Sequence, residues 1–152
     1  MSSPLGPLAA IRTLGDPVLR MPALEVVEFD DALRVLANRM VAVMRHSHGV
    51  GLAANQIGSR QKVCVWDAGH GLKILANPQV VRSTGSQSDD ERCLSIPGVT
   101  VRVSRAQRLV VAGQDLTGQD VTISARDFEA RVMGHELDHL NGRLLVDYRT
   151  IS

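Results

Sequence analysis

His135-Glu136-Leu137-Asp138-His139-Leu140-Asn141-Gly142 decides how this chain is read. Two histidines four apart on a helix lie on one face, so both imidazoles can reach one metal ion. Glu136 adjoins the first of them, where it can take a proton from water activated at that ion. A bare H-E-x-x-H arises by chance, so the reading needs a helix and a third ligand. The helix is predicted over 124–141. Ser124 with Asp127 reads as a capping-box start, and Gly142 follows its end, where a left-handed residue is favoured. Phe128, Val132, His135 and His139 share one stripe; Ala130, Met133, Leu137 and Leu140 share another. A helix apolar on both stripes is mostly buried, so the histidines are expected to face an enclosed site.

The third ligand determines the kind of site. After His139 the chain offers no Glu, His or Cys, only Asp147. The ligand is therefore Asp147 or comes from upstream. The best upstream candidate is Cys93, in Asp89-Asp90-Glu91-Arg92-Cys93-Leu94-Ser95-Ile96-Pro97-Gly98. A thiolate binds a transition metal strongly and adds negative charge to two neutral imidazoles. Two His and one Cys leave a fourth tetrahedral position open, the pattern of a catalytic site.

These residues are similar to those of the peptide deformylase family. His135 to Gly142 resembles the family's third motif, and Cys93-Leu94-Ser95 resembles its second, a Glu-Gly-Cys-Leu-Ser run. Gly49-Val50-Gly51-Leu52-Ala53-Ala54-Asn55-Gln56 matches its first, Gly-x-Gly-Leu-Ala-Ala-x-Gln. The motifs stand in the family's order, and Gly15-Asp16-Pro17-Val18-Leu19-Arg20 resembles its N-terminal segment. In one place the chain departs: Arg92 stands where the family has Gly, which alters the groove beside Cys93.

The resemblance implies removal of the formyl group from the N-terminal methionine of new polypeptides, with release of formate. It implies Cys93, His135 and His139 as metal ligands and Glu136 as the group that moves the proton. It implies the Gln56 side-chain amide and the Leu94 backbone N–H as donors to the oxyanion. Val50, Phe128 and Val132 would line an apolar slot for the methionine side chain, and Gly51 and Arg92 would also border the substrate. The cofactor would be one divalent ion: iron(II) in the cell, with zinc, nickel or cobalt also suited to these donors. Two rivals stand beside this reading. One is a small zinc endopeptidase, whose third ligand would lie elsewhere; the other, prompted by Arg92, is a silenced relative that binds metal or peptide without turnover.

Composition bounds the rest. A chain of 152 residues suits one domain, expected as a loose segment over 1–10 and a single catalytic domain over 11–152. A net charge of +1 creates no global field to draw nucleic acid or a membrane surface. No apolar run is long enough to span a bilayer, and residues 1–10 hold no basic start of a secretory leader. The expectation is a cytoplasmic monomer whose partners are N-formyl-Met nascent peptides, without nucleic acid or membrane. Cys64, within Lys62-Val63-Cys64-Val65-Trp66, reads as a buried strand residue.

A second helix is predicted over 30–45, capped by Asp30 or Asp31, with Leu33, Leu36, Ala37, Met40 and Met44 in helical spacing. Strands are predicted over 62–67, 73–77, 79–83 and 99–104, with a hairpin of 108–112 and 120–123. Residues 49–56 read as a Gly-bounded loop. The fold class is α+β, a central metal-carrying helix packed among short antiparallel strands, with a second long helix near the N-terminus. Glu91 is expected to pair with Arg105 or Arg102. Asp138 is expected to satisfy a hydrogen bond near the site or to touch a ligand imidazole. His46 and His48 read as a solvated helix end.

Overall fold

Helix α1, Asp31–His46, begins where the Asp30 carboxylate accepts the Leu33 N–H at 3.0 Å, satisfying one of the unpaired donors of the first turn. It buries Leu33, Ala37, Met40, Val43 and Met44. The computed structural model describes residues 11–149; the segment expected to be loose, residues 1–10, lies outside the described residues. Helix α2, Asp127–Leu140, starts three residues later than its sequence suggests. Ser124 is not its cap, because the backbone of Ser124 belongs to a strand and pairs with Val110. Arg126 occupies the N-cap position without a side-chain cap bond. Asp127 and Glu129 instead place negative charge at the positive end of the helix. At the other end Gly142 is left-handed (φ 76°), and a Cβ there would meet the Arg20 carbonyl oxygen at 2.6 Å. Both demands select glycine.

Seven strands are found among the described residues: β1 Gly51–Ala53, β2 Val63–Trp66, β3 Lys73–Thr84, β4 Gln87–Cys93, β5 Ile96–Arg105, β6 Arg108–Gln114 and β7 Asp120–Arg126. They form an antiparallel sheet in the order β1-β2-β3-β6-β7 and a separate β4-β5 hairpin. The two strands expected over 73–77 and 79–83 are one strand, β3. Its pairing with β6 shifts register between Ala76 and Gln79. Pro78 has no N–H to give the ladder, and Asn77 beside it takes φ 52°. A bulge absorbs the mismatch without ending the strand. The Gly-bounded loop contains the short strand β1, where Leu52 pairs with Val65.

Strand β2 is the hinge of the packing, because successive side chains face opposite sides. Val63 and Val65 pack with Met40, Met44 and Leu52 on the α1 side. Cys64 and Trp66 pack with Leu75, Val111, Met133 and Leu137 on the α2 side. Cys64 is thus the buried strand residue its context suggested. The β4-β5 hairpin joins a third cluster with Leu19, Leu144 and Leu145. This is an α+β fold with α2 at its centre, as expected. No helix among the described residues is long and apolar enough to cross a membrane.

Candidate metal centre

The four-residue spacing on α2 brings His135 Nε2 and His139 Nε2 to 3.2 Å from each other. Cys93 ends β4, just after a register shift between Glu91 and Cys93 turns the strand. Its Sγ lies 3.2 Å from His139 Nε2. The ligand atoms of Cys93, His135 and His139 all lie within 4.8 Å of one another. Asp147, the other candidate, is engaged elsewhere: its carboxylate accepts from Arg20 at 2.6 Å and from the Leu144 N–H at 2.9 Å. The structure therefore brings the upstream cysteine to the histidine pair and leaves Asp147 out.

These donors fit a metal ion. Ligand atoms bound at about 2.0–2.3 Å around a tetrahedral ion sit about 3.4–3.7 Å apart, close to the 3.2 Å separations here. His135 turns its other ring nitrogen, Nδ1, toward Glu91 Oε1 at 3.1 Å. That contact fixes the ring and leaves Nε2 for coordination. The charge balance also invites a cation. Burial works against a charged His135, but Cys93 and Glu91 outweigh it and hold its pKa up at about 10. Burial and the neighbouring His135 hold His139 well below the ordinary histidine range.

Glu136 is 3% exposed, and its Oε1 is a buried atom with no partner among the described residues. Burial raises its pKa to about 7, against the lowering effect of His135 and Arg105. Gly51 explains how the carboxylate fits: a Cβ there would lie 3.0 Å from Glu136 Cδ. Gln56 is buried, with Oε1 accepting from the Ala53 N–H at 3.0 Å and Nε2 donating to Ser95 Oγ at 3.1 Å. The same Nε2 lies 3.8 Å from Cys93 Sγ. Leu94 follows in the hairpin turn, and its N–H donates to no acceptor among the described residues.

A cavity of about 580 Å³ joins these groups, bordered by Gln56, Cys93, Leu94, His135 and Glu136. Val50, Gly51, Arg92, Phe128 and Val132 line it too, so every residue proposed for substrate contact borders one space. They are not equivalent. Val132 is buried at 4% exposure, whereas Val50 and Phe128 are 43% and 53% exposed and form the mouth. His48, read as part of a solvated helix end, also borders the cavity.

The expected pairing of Glu91 with Arg105 is present, but sequence reasoning missed the third member of the scaffold behind the candidate ligands, Arg131. Arg105 donates to Glu91 twice, from Nε at 2.6 Å and from a terminal nitrogen at 2.8 Å. Arg102 pairs with Asp90 instead. Glu91 accepts a further bond from Arg131, a residue that had drawn no attention. Burial opposes the ionised form of Glu91, but His135 and Arg105 hold its pKa down at about 2. Asp138 touches neither imidazole; it accepts from Arg105 at 2.9 Å and from the Tyr148 hydroxyl at 2.6 Å. The available signal was Arg131 itself, a charged residue one turn before His135 on the same face.

A family model described as polypeptide deformylase matches residues 8–151. The chain belongs to the peptide deformylase family. It is 42% identical over 137 residues to a peptide deformylase of Dictyoglomus thermophilum, which spans 90% of each chain. It is 44% identical over 137 residues to one of Acidothermus cellulolyticus, covering 90% of this chain and 76% of that one. The crystal structure of the Thermotoga maritima peptide deformylase superposes with a TM-score of 0.90 at 39% identity, covering 93% of this chain and 97% of that chain. The chain is accordingly a hydrolase of a metal-dependent family.

Proposed function

We propose that this enzyme removes the N-formyl group from the N-terminal methionine of newly made polypeptides, in the cytoplasm and as a monomer. The observation that carries the reading is a buried carboxylate without a partner, Glu136, in the same cavity as a Cys–His–His donor set. A divalent ion held by Cys93, His135 and His139, iron(II) in the cell and replaceable by zinc, nickel or cobalt, would supply Lewis-acid activation of a water and of the formyl carbonyl.

The protein's own groups do the rest. Glu136, with a pKa near 7, accepts the proton of the attacking water and returns it to the leaving nitrogen. The Gln56 amide and the Leu94 N–H donate to the oxygen as it gains negative charge. The C–N bond of the formamide breaks, giving formate and a free amino terminus. Val50, Phe128 and Val132 border the first side chain, Gly51 lets Glu136 close on the reacting group, and Arg92 stands at the rim where the following residues would run.

Two measurements test this. Protein reconstituted anaerobically with iron(II) should release formate from formyl-Met-Ala and leave internal peptide bonds intact; internal cleavage would point to an endopeptidase. Cys93→Ala, His135→Ala and His139→Ala should each lose stoichiometric metal, since two ligands hold a tetrahedral ion poorly. Cys64→Ala should keep it, and full occupancy in Cys93→Ala would overturn the ligand set.

A further inference from the structure

Each histidine of the candidate centre is held by a buried residue from another part of the chain. Glu91 reaches the His135 ring from β4. On the other side stands Asn55, the one polar side chain of the Gly49–Gln56 stretch besides Gln56 itself. Asn55 is 0% exposed, and its Nδ2 donates to the His139 carbonyl oxygen at 2.5 Å, across 84 residues of sequence. That carbonyl belongs to the last turn of α2, where a helix runs out of donors of its own. It also accepts the Gly142 N–H at 3.0 Å.

Asn55 lies in a 3-10 turn, Ala54–Ile57, whose four residues are all buried. Successive side chains of such a turn point about 120° apart, so Gln56 reaches a different neighbour. Its Nε2 donates to Ser95 Oγ at 3.1 Å and lies 3.8 Å from Cys93 Sγ. One short turn therefore touches the surroundings of two candidate ligands that come from different elements, His139 on α2 and Cys93 on β4. The turn is itself anchored, because the Gln56 carbonyl accepts from the Arg12 N–H at 2.6 Å.

Asn55 is a poor choice for stability alone. Its Oδ1 is buried with no partner among the described residues, and a buried polar atom left unpaired is costly. What the amide delivers in return is one donor at the backbone of a candidate ligand.

We propose that Asn55 is a positioning residue for the candidate metal centre: its amide pins the last turn of α2 against the turn that carries Gln56, and so fixes His139 relative to Cys93 and to the Gln56 amide. The deformylase reading is needed only for what Gln56 then does to the substrate; the effect on the metal stands apart from it.

The test separates holding the metal from holding the fold. Asn55→Leu keeps an apolar side chain of similar length and removes both the donor and the unpaired oxygen. The metal-free variant should unfold at a denaturant midpoint no lower than that of wild type. Its affinity for zinc, read by competition with a chelator, should nevertheless fall about 10–100-fold, the range for a lost partner behind a ligand. In cobalt(II)-loaded protein the visible and thiolate charge-transfer bands, which report the ligand geometry, should shift. Asn55→Thr restores a donor on a shorter arm and should recover at least part of the affinity and the wild-type spectrum. On formyl-Met-Ala, Asn55→Leu should lower kcat more than it raises KM, since a displaced Gln56 amide is felt in the transition state. If Asn55→Leu does not fold, Asn55→Ala supplies the same comparison. Absence of formate release from wild-type protein would defeat the deformylase reading, and zinc affinity and the cobalt spectrum would still decide the role of Asn55. Wild-type zinc affinity with an unchanged cobalt spectrum in the variant overturns the proposal. So does a fall in affinity that follows a lowered unfolding midpoint and is not recovered in Asn55→Thr.

Discussion

Glu91 and Glu136 flank the same ligand cluster, one on the β4-β5 hairpin and the other on α2. Both are buried, at 7% and 3% exposure. Glu91 accepts from Arg105, Arg131 and His135, and its pKa lies near 2 despite burial. Glu136 has an oxygen with no partner, and burial lifts its pKa to about 7. The residue type is the same; Glu136 is the more deeply buried of the two and Glu91 the better supplied with donors. A carboxylate surrounded by fixed guanidiniums stays ionised and holds its neighbours in place. A carboxylate starved of donors sits near neutrality, where accepting and giving back a proton are both easy. On the proposed function, the hairpin wall holds still and the helix wall does the chemistry.

The sharpest way to break that contrast is to neutralise each glutamate in turn. Glu136→Gln keeps the shape but cannot take a proton. It should retain metal and thermal stability while turnover falls about 10²–10⁴-fold, read by metal analysis, calorimetry and formate release. Glu91→Gln should do the reverse of this in kind. It leaves Arg105 and Arg131 buried beside a neutral amide, and breaking a buried pair costs about 3–5 kcal/mol. Because His135 loses its oriented partner, metal affinity should also fall about 10–100-fold. Equal losses of stability in the two variants would show that the walls are not specialised.

The outward face of the hairpin sharpens the contrast differently. Arg92 lies on β4 between Glu91 and Cys93, but it is exposed, and its Nε–H donates to Thr100 Oγ1 at 3.3 Å. It touches none of the three buried donors or acceptors of the scaffold. Arg92→Gly should therefore change KM and the preference among residues after methionine, with kcat altered by less than about tenfold, the signature of uniform binding. Steady-state kinetics on a short series of formyl-Met peptides checks it. Activity that appears only in Arg92→Gly would mark the wild-type chain as a silenced relative.

The two walls were also unequally legible. The helix wall could be read from residue spacing, because His135, Glu136 and His139 are local and a helix fixes their geometry. Gly142 announced its end for the same reason. The start was misread because Ser124 had a better offer from the β6 ladder, a long-range pairing that no local motif reveals. The hairpin wall was harder. Strand β4, Gln-Ser-Asp-Asp-Glu-Arg-Cys, has no apolar alternation; only Glu91 and Cys93 turn inward, and Asp89, Asp90 and Arg92 stay outside. Cys93 was legible as a candidate ligand by its motif, and the structure brings it to the histidine pair. The Arg105–Glu91–Arg131 cluster joins β5, β4 and α2 across separations of 14 and 40 residues, and only the folded chain brings it together.

The smallest expected effect measures how far the rigid wall extends. Tyr148, in the 3-10 turn Leu145–Tyr148, gives its hydroxyl to Asp138, which in turn accepts from Arg105. Its ring also lies under the Arg143 guanidinium at 4.3 Å and near that of Arg105 at 5.2 Å. Tyr148→Phe removes the hydroxyl and keeps the ring, so both cation–ring contacts survive. Arg105 retains its two bonds to Glu91, and His135 retains Glu91. A hydrogen bond to a charged acceptor contributes about 1.5–3 kcal/mol, but Asp138 is partly open to water, which can replace the lost donor. The loss should be about 1 kcal/mol in denaturant unfolding, with metal affinity and turnover within about twofold of wild type. A tenfold fall in metal affinity with unfolding unchanged would show that the holding wall reaches from the C-terminal turn to the ligand imidazole, four contacts away.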